Sequence, residues 1–189
     1  DKIGEPQPDE DFLMTFLGPP LMDSFTHTMG YEKEKADRAL AYFRERFQPL
    51  GIYENRLFPG IDQLLHALSQ QKSIKVYLAT AKPLPSAITV LKYFKIHKYF
   101  DDISGATLDG TIKLKTHVIA NLLATFGDDY DPERTIMIGD RDHDIYGARD
   151  NGIKCARVAY GYGSAEELKD ADYVASDVED LKALLLGGR

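Results

Sequence analysis

The sequence is poor in cysteine, in basic residues relative to acidic ones and in long apolar runs, and each shortage excludes or disfavours a class of protein. It contains one cysteine in 189 residues, which excludes the internal disulfide framework of small secreted proteins. Its 23 basic residues are outnumbered by 30 acidic ones, for a net charge of −7, which disfavours a nucleic acid polymer or an acidic membrane as the main partner. It has no apolar run of membrane-spanning length and no recognisable signal peptide, so we expect a soluble, cytoplasmic protein.

The cysteine itself, Cys155, lies in an apolar segment that runs to Ala159. This setting favours a buried structural thiol over a nucleophile. The chain has no internal repeats or low-complexity tracts, and its length is that of one domain, or of one domain with a small insert.

Helix signals fill the first part of the chain, and strand signals begin only later. No strand pattern precedes residue 74, and the clearest early helix ends at Pro49 and Gly51. From residue 59 onward, short apolar strands alternate with amphipathic helices, which is typical of a parallel α/β sheet with right-handed crossovers. We therefore predict a helical domain over residues 1–58 and an α/β domain over residues 59–189. The predicted strands are 74–80, 100–104, 135–138, 154–159 and 172–175.

The stretch around Asp140 carries the strongest chemical signal. A short apolar strand ends at Gly139, which lets the backbone turn, and Asp140 then stands at the carboxyl end of that strand. Asp144 follows in the first turn of a predicted helix. Ligands of open α/β sheets bind outside these strand ends, and two carboxylates there suit Mg²⁺. The alternative is that Asp142 or Asp144 only caps the helix and complements its dipole.

Two other positions can serve an anion. Thr80 ends the predicted strand 74–80, so its hydroxyl and the backbone N–H of Ala81 can hold a phosphoryl oxygen; the alternative is a helix-capping threonine. Lys115 precedes an amphipathic helix and can balance the charge of a phosphoryl group and nearby carboxylates. The alternative for Lys115 is a lysine surrounded by solvent.

Taken in this order, these segments resemble the motifs of the haloacid dehalogenase-like phosphatase superfamily. Residues 78–83 are similar to its second motif, residues 115–119 to its third and residues 137–144 to its fourth. Further segments resemble the phosphoglycolate phosphatase-like branch, so the resemblance covers nearly the whole chain. Those segments are 17–21, 42–47, 53–60 and 160–163.

The resemblance implies a fold, a mechanism and a cofactor. The fold would be a Rossmann-like parallel sheet with a small all-helical cap. In the mechanism, an aspartate nucleophile forms an aspartyl-phosphate, and a second aspartate acts as general acid and then base. Asp140 and Asp144 would bind Mg²⁺, while Thr80, Ala81 and Lys115 would bind and stabilise the phosphoryl group.

The helical domain would be the cap that closes over this site and excludes water. Within it, Gly18, Pro19 and Pro20 are most similar to the substrate loop of the branch. The same three residues can equally well be no more than a break between two helices.

The nucleophile motif of the superfamily, Asp-x-Asp-Gly-Thr after an apolar strand, has no match in the 189 residues. Three partial matches fail: 9–11 lacks a preceding strand, 129–131 runs into proline, and 107–111 has threonine at the nucleophile position. We therefore expect this chain alone to be inactive as a phosphatase and its central first strand to be missing. The strands 74–80 and 135–138 should then not pair with each other, and a gap one strand wide should separate them.

The leading hypothesis is a Mg²⁺-dependent phosphatase that, in complete form, hydrolyses a small phosphorylated metabolite. Phosphoglycolate and nucleoside 5′-monophosphates are the substrate classes that the branch suggests, and a phosphoglucomutase is a further enzyme of the superfamily. A non-catalytic fragment that binds phosphate or a protein partner is the hypothesis from another class. Neither the substrate nor the oligomeric state can be read from the sequence.

Overall fold

The computed structural model of the chain describes residues 2–17, 19–166 and 169–187. It divides into two compact units, Asp1–Asn55 and Arg56–Arg189. The sequence patterns had placed this division three residues later, between residues 58 and 59.

The first unit is helical in its described residues. Asp9 begins α1 by accepting a hydrogen bond from the Phe12 N–H at 2.8 Å, the usual role of an aspartate before a helix. Pro20 precedes α2, while Gly18, the first residue of the predicted substrate loop, lies outside the described residues. The helical segments are α1 (Glu10–Met14), α2 (Leu21–Asp23), a π-helix (Ser24–Thr28) and α3 (Lys33–Phe47).

The second unit alternates strands and helices, which confirms the predicted fold class. Its helices are α4 (Ile61–Ser69), α5 (Leu84–Tyr93), α6 (Lys115–Leu123), α7 (Asp142–Asp150) and α8 (Val178–Leu186). Its strands are β1 (Tyr77–Pro83), β2 (Asp102–Ala106), β3 (Ile136–Gly139), β4 (Lys154–Val158) and β5 (Tyr173–Ala175).

The five strands form two separate parallel sheets. β1 pairs with β2 in one sheet, and β3, β4 and β5 follow in that order in the other. No ladder joins β1 to β3 within the described part of the chain, as the sequence predicted. A cavity of about 690 Å³ has residues 72–79 and residues 133–138 among its lining, with apolar side chains of α6 and α8.

β1 is displaced along the sequence from its predicted position because its neighbour decides where pairing starts. Tyr77 is the first residue in register with β2, opposite Asp102. Just before it, the Asp101 carboxylate accepts the Val76 N–H at 2.8 Å, and the Asp101 N–H donates to the Val76 carbonyl at 2.7 Å. At the far end the strand continues to Pro83, three residues beyond the predicted end, after a register shift that follows Thr80.

Helices cover both faces of the three-stranded sheet. On one face, α6 and α7 pack with Cys155 in a buried cluster, so the thiol is a core group as predicted. Burial is the main cause that raises the pKa of Cys155 to about 12, with the charges of Asp144 and Asp172 adding to it. On the other face, α4 and α8 bury a second cluster, formed by Leu64, Leu68, Val158, Ala175 and Leu181.

Candidate functional site

Asp144 is held by backbone groups at the point where β3 turns into α7. Its Oδ2 accepts the N–H groups of Asp140 and Arg141, both at 3.1 Å. This closeness depends on Gly139, because a Cβ on that residue would lie 2.3 Å from the Asp144 Cβ. The helix-capping alternative therefore describes part of what Asp144 does.

Lys115 connects the two sheets at this end. It is the first residue of α6, and its Nζ lies 2.8 Å from Asp144 Oδ1 and donates to the Ala79 carbonyl of β1 at 3.2 Å. The side chains of Lys115 and Asp144 are 12% and 5% exposed, so this is a buried ion pair and not a lysine in solvent. Asp144 Oδ1 receives no well-oriented hydrogen bond, which leaves it buried, charged and partly unsatisfied.

Asp140 is held from a different direction. The Tyr162 N–H donates to its Oδ2 at 2.8 Å, from the loop that follows β4. Tyr160, in the same loop, has its phenol pKa raised by burial and then by the negative charges of Asp140 and Asp177. The phenol of Tyr160 is therefore uncharged over the physiological pH range.

Thr80 and Ala81 lie on β1 immediately after Ala79, whose carbonyl accepts the Lys115 hydrogen bond. The Thr80 Oγ1 accepts the Lys82 N–H at 3.1 Å, so the hydroxyl stabilises the turn, close to the capping alternative. A hydroxyl that accepts one hydrogen bond still has its own proton to donate, and Thr80 can therefore also bind an anion.

The described residues supply two carboxylates for Mg²⁺ and leave the other positions of the ion to water and phosphate. Among the described residues, no group of three or more His, Cys, Asp or Glu side chains is placed to hold a metal ion. Asp140 and Asp144 nevertheless supply hard oxygen donors at a strand end, and Mg²⁺ needs only one or two carboxylates when water and phosphate fill its other positions. Asp144 Oδ1 is buried without a well-oriented hydrogen bond and, among the described residues, has only the ion pair with Lys115, so it is an acceptor that a metal ion can use, and the residues present fit this ion.

One acidic residue in each of the three partial nucleophile motifs is engaged in a local turn. Asp9 caps α1, and Asp131 accepts the Glu133 N–H at 3.0 Å. Hydrogen bonds from Thr107 and Thr111 lower the pKa of Asp109 to about 2. A carboxylate held in this way is a poor nucleophile, which agrees with rejecting all three segments.

The sequence prediction did not include two backbone contributors to the site. One is the Ala79 carbonyl, which carries no side-chain signal. The other is the loop at 160–163, where the sequence Tyr-Gly-Tyr-Gly served only as a marker of family resemblance. Tyr162, which has a glycine on each side, supplies the N–H that holds Asp140.

A parallel α/β sheet with carboxylates at one strand end and a buried lysine beside them is a site for phosphoryl chemistry. The family model described as "Haloacid dehalogenase-like hydrolase" matches residues 1–158. The chain therefore belongs to the haloacid dehalogenase-like hydrolases.

Two curated relatives and one solved structure show how the family is described. A 5′-nucleotidase from Pseudomonas aeruginosa is 39% identical over 186 residues, which cover 97% of this chain and 83% of the relative. The tyrosine-protein kinase PtkA from Mycobacterium tuberculosis is 37% identical over 164 residues, but the match spans only 55% of that protein. A crystal structure described as a "predicted phosphatase" from Clostridium acetobutylicum has a TM-score of 0.90 and 35% identity, with 99% of this chain and 86% of that one covered.

The relatives support an enzyme of the phosphoric monoester hydrolase type. In the part of the chain that the structure describes, no helix has the length and apolar character to cross a membrane.

Proposed function

We propose that the complete protein is a Mg²⁺-dependent phosphatase of small phosphomonoesters, similar to phosphoglycolate phosphatases and working in the cytoplasm. The observation that carries this proposal is the position of the Lys115 ammonium. It contacts β1 through the Ala79 carbonyl and the start of α7 through Asp144. A buried cation in that place can neutralise the charge of a phosphoryl group bound next to Asp144.

Each side chain then has a distinct task. The Thr80 hydroxyl, the Ala81 N–H and the Lys115 ammonium bind phosphoryl oxygens, while Asp140 and Asp144 hold Mg²⁺. The metal ion, when bound, offsets negative charge on the phosphoryl oxygens. Lys115 also forms the buried ion pair with Asp144, so it positions this carboxylate as well as the phosphoryl group.

The nucleophilic aspartate belongs, in this proposal, to a strand between β1 and β3. Two observations support the location: β1 and β3 do not pair, and a cavity of about 690 Å³ is lined by residues of both strands. A strand that fills this cavity would run parallel to both neighbours and end beside Lys115 and Asp140. Its backbone would also satisfy strand edges that are costly to leave unpaired in an apolar setting.

The substrate in this proposal is a small phosphorylated metabolite. The 5′-nucleotidase relative favours a nucleoside 5′-monophosphate, and phosphoglycolate and the phosphoglucomutase reaction remain the alternatives. A non-catalytic fragment is the weaker hypothesis, because it would be favoured by a sheet that had closed through direct β1–β3 pairing. No such pairing joins the described strands.

The test is phosphate release by the full-length gene product from 2-phosphoglycolate and adenosine 5′-monophosphate, with Mg²⁺ and with EDTA. We expect turnover that EDTA abolishes and that Lys115→Met lowers by more than about 100-fold, the range of a lost electrostatic contact in a transition state. Lys113→Met is the matched control, because it removes a lysine two residues away. A greater loss with Lys113→Met than with Lys115→Met would overturn the assignment of Lys115.

A further inference from the structure

The loop of residues 159–163 makes the closest approach of backbone to Asp140. A Cβ on Gly161 would lie 2.2 Å from the Asp140 Cβ and 2.5 Å from its Oδ2. No side chain fits at that distance, so glycine is required for this approach whatever its backbone angles. The Tyr162 N–H then reaches the same Oδ2 at 2.8 Å.

This loop is anchored on both sides of Gly161. Before it, the Ala159 N–H donates to the Ala175 carbonyl of β5 at 2.9 Å. The Tyr160 ring rests edge-on against Phe58 with 5.4 Å between ring centroids, and the Tyr162 ring lies 6.0 Å from the same Phe58. Aromatic pairs at these distances stabilise the geometry of the residues that carry them, so the loop is held in place on both sides of Gly161.

The two aspartates are consequently held in different ways. Asp144 has Oδ2 on two backbone N–H groups, while its Oδ1 forms the ion pair with Lys115 without a well-oriented hydrogen bond. Asp140 has Oδ2 engaged by the loop. A hydrogen bond from a fixed N–H to one carboxylate oxygen orients the other oxygen, and such contacts commonly change metal affinity by about 10- to 100-fold.

We propose that the 159–163 loop is the positioning element of Asp140: Gly161 admits the backbone, the Tyr162 N–H fixes Oδ2, and Oδ1 is thereby the oxygen that binds Mg²⁺. Gly161 and Tyr162 act through Asp140 and are positioning residues. The proposal rests on the metal site of the proposed function and adds to it which oxygen binds and what holds that oxygen in place.

The experiment is a Mg²⁺ titration of the ¹⁵N-labelled 189-residue chain, followed through the Tyr162 amide signal and through the dissociation constant. In the unmodified chain, the Tyr162 amide should shift as Mg²⁺ binds. Gly161→Ala should weaken Mg²⁺ binding by about tenfold or more and move the Tyr162 amide signal before any metal is added. Tyr162→Pro, which removes the N–H donor, should weaken binding to a similar extent.

Gly51→Ala is the matched control. It makes the same chemical change in the helical unit, where the added Cβ would meet the flexible ends of Arg46 and Phe47 at 3.2 Å. Its Mg²⁺ dissociation constant should stay within about twofold of the unmodified value. A general loss of folding is separated from a positioning effect by the double variant Gly161→Ala with Asp140→Asn, in which the effect of Gly161→Ala on affinity should vanish.

Three results would overturn the proposal. The first is a Gly161→Ala variant that binds Mg²⁺ within twofold of the unmodified chain. The second is an effect of Gly161→Ala that adds fully to that of Asp140→Asn, and the third is a Tyr162→Pro variant that binds Mg²⁺ normally. In each case Mg²⁺ still binds, so the proposed function survives. If the unmodified chain does not bind Mg²⁺ and the full-length protein releases no phosphate, the proposed function fails and takes this proposal with it.

Discussion

The two parallel sheets end in opposite kinds of chemistry. The β1–β2 sheet carries neutral donors where its register shifts, the Thr80 hydroxyl and the backbone beside it, whereas β3 of the other sheet is followed by the carboxylates Asp140 and Asp144. One sheet therefore suits an anion and the other a cation. Lys115 is the side chain that contacts both ends, and the difference shows that neither sheet holds a complete site by itself.

The largest effect should come from joining the two sheets. We expect the 189-residue chain alone to release no phosphate, and a synthetic peptide with an apolar strand followed by Asp-x-Asp to restore turnover by filling the cavity between β1 and β3. Replacing the first aspartate of the peptide by asparagine should remove the gain, on the order of 10⁴-fold, since it deletes the nucleophile. The measurement is phosphate release with each peptide.

A scrambled peptide of the same composition is the control for this experiment. Full activity of the chain without any peptide would contradict the view that each sheet carries half of the site. Protection of residues 74–79 and 135–138 from hydrogen exchange should accompany the gain in turnover.

The next largest effect should come from removing the proposed metal ligand that follows β3. Asp140→Asn in the full-length protein should lower Mg²⁺-dependent kcat by more than about 100-fold, because even contacts one layer outside a metal contribute 10- to 100-fold. The fold should be nearly unaffected, as judged by circular dichroism and the melting temperature. Asp142→Asn, two residues on and engaged with His143, is the control, and an equal loss there would argue against Asp140 as the ligand.

The third prediction concerns Lys115, whose side chain contacts both sheets. Lys115→Met leaves the Asp144 charge buried without its cation, which should reduce the free energy of unfolding by about 3 kcal/mol. The double variant with Asp144→Asn should recover part of this loss, since the unpaired charge is then gone. Urea denaturation of the four proteins gives the coupling energy, and strict additivity would show that the ion pair does not matter for stability.

A smaller effect on stability is expected from replacing Thr80 in β1. Thr80→Val removes the acceptor for the Lys82 N–H and should reduce the free energy of unfolding by about 1 kcal/mol. Thr80→Ser keeps the hydroxyl and should differ little from the unmodified chain in urea denaturation. A Thr80→Val variant as stable as the serine variant would show that the turn does not depend on this bond.

The smallest effect concerns the reactivity of Cys155, on the central strand β4 of the three-stranded sheet. With its pKa raised to about 12 by burial, the native thiol should react with iodoacetamide at pH 8.5 far more slowly than in urea-unfolded chain. The protonated thiol is the form that the fold favours. The stability that the protonated Cys155 thiol contributes is therefore complete below the ordinary thiol pKa and is lost as the pH rises towards 12. Rapid labelling of the native chain would mean that the sheet opens readily.

The sequence was sufficient for the alternation of strands and helices and for the separation of β1 from β3. The apolar periodicity indicated the first, and the family resemblance the second. The strand limits at Tyr77 and Pro83 were out of reach because they depend on where β2 begins and on the Asp101 side chain.

Within the site, local patterns identified the side chains but not their contacts. Asp140 and Asp144 were visible from the strand end and the helix start, whereas the contact of Lys115 with the Ala79 carbonyl joins positions 36 residues apart. The Tyr162 N–H was invisible for a different reason. A backbone donor leaves no mark in the sequence, and only the neighbouring Gly161 hinted that something comes close.

The open edges of β1 and β3 also bear on how the chain behaves at high concentration. An unpaired strand edge is a template on which another extended segment can add, and here two such edges border one cavity. A strand from a second molecule could add to either edge, which is the first step of aggregation. A segment that completes the sheet would cover both edges at once, so the strand that supplies the nucleophile would also keep the protein dispersed.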